Sequence, residues 1–409
     1  METSSYTPPN HPIHNVKLSV DQIATLVRRV FPNSELVSYE QLSSGQSFNN
    51  RIYFLTLKHY GQDSLPTETV LKVIGRFFDV RKIQNEVSNL LLLKRHCPEI
   101  PAPEIVAWSK DTKIIDSTLT QPINSNETMT RASGSHKWVM MTKRPGRKLL
   151  KEDLLGPNSH AIATQLADTI ASWRQKMPDI GSIGNFRINS DECTTRDNYT
   201  TLHFRVEGLL FSEAQPVGPV KTPFDYYNHL LANQINKLNT NGIYIYLRPK
   251  IVTALEEFRQ KKLPYLPFLA EAHGPTIKSC FTHQDLSPRN ILITDTPTGP
   301  KITGIVDFEF AGMFPVYEEY LNSMVRSDGD WPEPFWNRLL QELAGRGVKT
   351  PGVDPMTLEM WKQGCELVTL IENVAPWWLD AGHLEGEELR NKLDEACATV
   401  ENLLTTLAA

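Results

Sequence analysis

The sequence predicts an α+β fold: a small β-rich half ending near residue 143, then a larger, mainly helical half. Short runs rich in β-branched and aromatic residues, separated by turn residues, fill positions 35–74. From residue 159 onward, segments with apolar residues at helical spacing dominate. One pair of short apolar strands, 291–294 and 302–307, interrupts them.

Composition narrows the function classes. The chain has 409 residues, of which 40% are hydrophobic and 22% charged, so it can bury a sizeable core and is not of the disordered class. Its net charge of −5 argues against a nucleic-acid partner, which needs a basic excess. The five cysteines contain no Cys-x-x-Cys pair and fit reduced thiols rather than a disulfide framework. The longest purely aliphatic run, Leu90 to Leu93, is far short of the ~20 residues a spanning helix needs. Residues 1–15 carry Pro8, Pro9 and Pro12 and lack the apolar core of a secretory signal, so they read as a disordered tail. The expectation is a soluble, cytoplasmic protein with no membrane partner.

The elements follow in order. Ser19 is a cap candidate for a helix over 19–29, with Asp21 in its first turn. Strands are expected at 35–42, 51–59 and 68–74, the last two joined through Gly61 and Pro66. A helix over 80–95 aligns Ile83, Val87 and Leu90 on one face, and Pro98, Pro101 and Pro103 end it. Extended chain at 104–108 leads into 111–136, a Ser-, Thr- and Asn-rich stretch read as a surface-loop insertion. A strand at 137–142 then meets Arg144-Pro145-Gly146, which marks the boundary between a first domain, 16–143, and a second, 144–409. In the second domain, helices are expected at 159–177, 224–238, 249–262, 334–343, 357–374 and 385–407. Trp377 and Trp378 are read as closing the C-terminal bundle.

The strongest chemical signal is His283-Gln284-Asp285-Leu286-Ser287-Pro288-Arg289-Asn290, followed by apolar residues and then Val306-Asp307-Phe308-Glu309. Asn290 stands five positions after Asp285, and Asp307 stands 22 positions after it. A hairpin between them would bring Asn290 and Asp307 to one edge, where oxygen ligands suit a Mg²⁺ shared with phosphate. Asp285 beside them would accept a proton from an alcohol. This is the grammar of phosphoryl transfer. The first half offers the complementary parts. Lys72 lies in the apolar strand 69–74, and Glu86 falls on the inward stripe of the following helix, where a carboxylate needs a partner.

The segment His283 to Asn290 resembles the catalytic core of the aminoglycoside phosphotransferase and choline kinase family, through the pattern His-x-Asp-x-x-x-x-Asn. Residues 85–103 and 307–318 are similar in particular to the fungal phosphotransferase-enzyme branch. The resemblance implies a two-lobed, protein-kinase-like fold with a small β-rich N-lobe that binds nucleotide and a large helical C-lobe. It implies Asp285 as catalytic base, Asn290 and Asp307 as metal ligands, and ATP and Mg²⁺ as cofactors. Lys72, aligned by Glu86, would hold the phosphates. Gly45 and Ser47 are similar to the family's phosphate loop, and main-chain atoms of Met141 to Lys143 would read adenine. The implied activity is transfer of the γ-phosphate to a hydroxyl of a small molecule: an amino alcohol, an aminoglycoside-like compound or another metabolite. Glu309, Glu318, Glu319, Asp328 and Asp330, interleaved with aromatic residues, suggest a pocket for a cationic acceptor. Two rivals stand beside this reading. A nucleotide-binding pseudokinase is disfavoured by the intact set Lys72, Glu86, Asp285, Asn290 and Asp307. A protein kinase is disfavoured by Gln284, where regulated kinases carry arginine, and by the lack of an Ala-Pro-Glu segment after Asp307.

Overall fold

The computed structural model describes residues 11–43, 46–61, 65–76, 80–109, 115–117, 136–188, 204–209, 218–270, 279–321, 330–353, 356–380 and 384–408. The chain forms two units: Met1–Arg147 with Phe186–Arg205 and Thr303–Phe310, and Lys148–Asn185 with Val206–Ile302 and Ala311–Ala409. The fold is α+β, with a β-sheet first unit and a mainly helical second.

The first unit opens with α1 (Val20–Val30). The Ser19 hydroxyl accepts the Gln22 N–H and the Gln22 side chain accepts the Ser19 N–H, a capping box that satisfies two end donors at once. Strands β1 (Ser34–Gln41), β2 (Asn50–His59), β3 (Glu68–Ile74), β4 (Ile105–Ser109), β5 (Ile115–Ser117) and β6 (Trp138–Thr142) form one antiparallel sheet, in the order β1-β2-β3-β6-β4-β5. Strand β5 lies within the stretch expected to be loop; the rest of that insertion, apart from His136, is outside the described residues.

Alternation along β3 divides its residues between two faces. Leu71 and Val73 join Tyr53, Leu55, Trp138 and Met140 in a core closed by Ile23, Leu26 and Val27 of α1. Lys72 therefore belongs to the opposite face, paired in register with Ile52 and Val139. Helix α2 (Val80–His96) is buried along most of its length, including the polar residues Lys82, Asn85, Glu86 and Asn89. Buried polar groups need partners. Asn85 donates to the Glu309 carbonyl at 2.9 Å and accepts the Phe186 N–H at 2.7 Å, and Asn89 donates to the Phe308 carbonyl at 3.2 Å. These amides tie two distant chain segments into the first unit.

The expected tail needs correction at its end. Residues 1–10 are outside the described residues, but 11–15 form a turn whose Ile13 is buried in the α1 core. Arg51 fixes this turn by donating to the carbonyls of Val16 and Ile13 at 3.0 and 3.3 Å.

In the second unit, helices α3 (Ser159–Lys176), α4 (Pro223–Thr240), α5 (Arg248–Lys261), α6 (Glu333–Gly345), α7 (Leu358–Val374) and α8 (Gly386–Ala408) fall close to their expected positions. Thr222 and Thr357 cap α4 and α7 through their hydroxyls. Leu231 and Ile235 of α4, Leu255 of α5, Leu370 and Val374 of α7 and Val400 of α8 share one core. Trp377 and Trp378 do not close this bundle. They are 56% and 41% exposed, and the neighbouring Leu379 fills the interior instead.

Several strands were not expected: β7 (Arg147–Lys148), β8 (Gly184–Ile188), β9 (Phe204–Gly208) and β10 (Ser279–Thr282). Strands β11 (Ile291–Thr296) and β12 (Gly299–Ile305) pair across a short turn, close to the two apolar strands read from sequence. Strand β13 (Gly312–Pro315), also unexpected, pairs antiparallel with β10 and places Thr282 opposite Gly312. Four-residue strands such as β10 and β13 offer too little alternation to be read locally. No helix among the described residues is long and apolar enough to cross a membrane.

Candidate active site

Two constellations gather most of the expected site residues, one in each unit. In the first, β3 delivers Lys72 to three carboxylates. Its ammonium lies 2.9 Å from Glu86 of α2, 2.6 Å from Asp307 and 2.7 Å from Glu309. Lys82, one helical turn before Glu86, reaches Glu309 at 2.9 Å and lies over the Phe310 ring. Asn50, at the start of β2, donates to Glu309 at 2.8 Å.

Burial and pairing compete at every group here. Burial disfavours the Lys72 ammonium, but Asp307, Glu309 and Glu86 outweigh it and hold its pKa well above the usual lysine value. Burial pushes Glu86 up to about 7 against the pull of Lys72. Glu309 is also opposed by burial, yet Lys72 and Lys82 together bring it down to about 2. Lys82 is lowered, because burial exceeds the help of Glu309. Asp307 is raised by burial and by Glu309; its side chain is still 30% exposed, which tempers that push. The Asp307 backbone has a φ of 71°, in the left-handed region that non-glycine residues seldom occupy.

The second constellation is the loop between β10 and β11. His283 is buried, and its ring Nδ1 accepts the Asp285 N–H at 3.3 Å. Asn290 donates through Nδ2 to the Asp285 carbonyl at 2.8 Å and to its carboxylate at 3.1 Å. This leaves the Asn290 amide oxygen as the end that suits a cation. Arg289 reaches the other Asp285 oxygen at 2.6 Å and Asp330 at 3.2 Å. Gln284 adopts a φ of 68°, a second left-handed non-glycine residue. The loop is held from behind by Glu319, whose carboxylate accepts the N–H groups of His283 and Gln284 at 2.9 and 3.3 Å. Burial raises Glu319 against the pull of Arg174 and of those two amides.

The remaining expected residues are placed as follows. Gly45 is outside the described residues. The Ser47 hydroxyl donates to the Asn50 carbonyl at 2.7 Å. Met141 sits in β6 opposite Val70 and Ile105. Lys143 pairs with Glu68 at 2.6 Å on the surface, and its N–H donates to the Glu68 carbonyl at 3.3 Å.

The expected cationic-acceptor pocket is corrected. Glu309 is engaged by two lysines. Glu318 is buried and accepts from the hydroxyls of Tyr226 and Tyr227 at 2.8 and 2.5 Å, while Glu319 holds the loop. Asp330 pairs with Arg289, and Asp328 is outside the described residues. Among the described residues, a carboxylate run read as lining an acceptor pocket is used mainly for internal pairing. The sequence reading also missed Lys82. The signal was present: Lys82 lies four positions before Glu86 and so shares its inward face.

A sheet-bearing unit with a buried lysine–glutamate pair, followed by a helical unit carrying the Asp285–Asn290 loop, is the architecture of kinase-like phosphotransferases. The sequence profile of the phosphotransferase enzyme family, APH, matches residues 38–358, and the chain belongs to that family. Among solved structures, the chain is similar to the APH(2")-IIa complex with gentamicin, at 13% identity and a TM-score of 0.53, over 94% of this chain and 97% of the other. It is likewise similar to a Ralstonia eutropha protein assigned to the aminoglycoside phosphotransferases, at 13% identity and a TM-score of 0.52, over 96% of this chain and 98% of the other. At such identities the likeness concerns the fold. No curated protein sequence matches the chain.

Proposed function

We propose that the protein transfers the γ-phosphoryl group of ATP, with Mg²⁺, to a hydroxyl of a small molecule. The observation that carries this reading is the convergence on Lys72 of Glu86, 14 positions away, and Asp307, 235 positions away, inside one unit. A buried ammonium shared by a helix carboxylate and a partly open aspartate is suited to hold a polyphosphate beside a metal ligand.

Among the described residues, no cluster of three or more His, Cys, Asp or Glu side chains forms a metal cage. That fits Mg²⁺, which takes one or two protein oxygens and completes its octahedron with phosphate and water. Asp307 and the amide oxygen of Asn290 have the hard-oxygen chemistry for it. When bound, the ion would neutralise charge on the phosphates. Lys72 would hold the α- and β-phosphates, with Glu86 fixing its ammonium. Backbone groups at Gly45 and Ser47 would contact phosphate oxygens, and main-chain atoms of Met141 to Lys143 would contact the base. Asp285 would orient the acceptor hydroxyl and take its proton, with Arg289 and Asn290 fixing the carboxylate. Positioning and charge neutralisation would supply most of the acceleration.

The test is incubation with γ-labelled ATP and a fractionated metabolite extract, with Asp285→Ala as the blank. Label passes to a metabolite with the wild type alone, while the variant still binds Mg·ATP. Loss of nucleotide binding in the variant would contradict the role given to Asp285. Label found only on protein would favour a protein kinase. Binding without transfer to any fraction would favour a nucleotide-binding module.

A further inference from the structure

Lys82 has no role in the reading above, yet it is one of the most buried cations among the described residues. Its side chain is 3% exposed, and it faces Glu309, which is 1% exposed. Its ammonium also lies 3.4 Å from the Asn50 amide oxygen and 5.1 Å from the centre of the Phe310 ring. Glu309 thus has two ammonium partners, Lys72 on one oxygen and Lys82 on the other.

For Lys72 to reach a polyphosphate, it must relax its hold on Asp307 and Glu309. Asp307 could turn toward Mg²⁺, but Glu309 has no such exit. A buried carboxylate stripped of its cation is strongly unfavourable. With Lys82 in place, Glu309 keeps one ammonium and the Asn50 amide when Lys72 departs. Without Lys82, Lys72 would be the only ammonium left to Glu309 among the described residues, and would be held away from the nucleotide.

We infer that Lys82 is a positioning residue for nucleotide binding: it keeps the charge of Glu309 paired so that Lys72 is released to the phosphates. The inference rests on the nucleotide reading of the same site and adds the exchange of partners that site requires. It also explains why α2 carries a lysine on its buried face one turn before Glu86.

The experiment is isothermal titration of the full chain with Mg·ATP and, separately, with adenosine, using wild type, Lys82→Met, Glu309→Gln and the double variant. In Lys82→Met, Mg·ATP affinity falls about tenfold or more while adenosine affinity stays within about twofold, as expected for loss of a charged contact felt only by the phosphates. In the Glu309→Gln background there is no charge left to hold, so adding Lys82→Met changes Mg·ATP affinity little. This comparison serves even if the single Lys82 variant fails to fold. Equal weakening for Mg·ATP and adenosine, or an undiminished effect of Lys82→Met in the Glu309→Gln background, overturns the inference. Wild-type-like Mg·ATP binding in Lys82→Met overturns it while leaving the nucleotide reading intact. Failure of the wild type to bind Mg·ATP removes both.

Discussion

Replacing Glu319 with alanine tests whether the loop bearing Asp285 is held from behind. Glu319 is 2% exposed, and its carboxylate accepts the N–H groups of His283 and Gln284 at 2.9 and 3.3 Å. Truncation leaves both donors without their acceptor, and removes a carboxylate charge that favours the Arg174 guanidinium. A hydrogen bond to a charged group contributes about 1.5–3 kcal/mol, and the longer of these two bonds falls toward the low end. Together the losses come to about 3–5 kcal/mol, the range also seen when one member of a buried charged pair is removed. At about 2–4 °C per kcal/mol for a unit of this size, the melting temperature should drop by about 10 °C. Differential scanning calorimetry measures it directly. Glu319→Gln should fall between the two, because it keeps one acceptor oxygen but turns an NH₂ toward the second amide. A fall of less than about 2 °C in Glu319→Ala would refute the reasoning, since a buried N–H and a half-buried one cannot lose their charged acceptor at so small a cost.

Two further predictions address the first unit. Burial places Glu86 at about 7 in the folded chain, against an ordinary value of 4.5. A carboxyl with a raised folded value binds its proton more tightly when folded, so its contribution favours folding below pH 4.5 and is lost as pH rises through about 7. Glu86→Gln should therefore remove a decline in stability over that window, seen as the wild-type-minus-variant difference in urea unfolding at several pH values. A difference that does not vary with pH would contradict the assignment. Asp307→Asn should abolish most of the gain in ATP affinity that Mg²⁺ confers, measured by titration with and without the metal. An unchanged gain would remove Asp307 from the metal site.

Much of the molecule was legible in the chain. The capped helix α1, the strands around Lys72 and the long helices of the second unit follow from local periodicity and end signals, which neighbours in sequence impose. The spacing of Asp285, Asn290 and Asp307 was equally readable, because those residues lie on one loop and a following strand pair. Less was legible where partners are distant. Strands β10 and β13 are four residues each and exist through pairing with one another, Ser279 opposite Pro315. The buried end of the N-terminal turn depends on Arg51, far along the chain. The exposure of Trp377 and Trp378 depends on which side of a short helix the bundle core selects.

The carboxylates draw the line most clearly. The sequence by itself determined that Lys72, Glu86, Asp285, Asn290 and Asp307 occur in the order of a phosphotransferase, since residue type and spacing are one-dimensional facts. It could not apportion the acidic residues after Asp307. A glutamate's type says that it needs a partner; only the folded chain says which. Tertiary structure sent Glu309 to Lys72 and Lys82, Glu318 to two tyrosine hydroxyls and Glu319 to the amides of the Asp285 loop. The physical reason is burial. Once the surrounding core closes, a carboxylate without a partner is too unfavourable to persist, so packing decides each pairing.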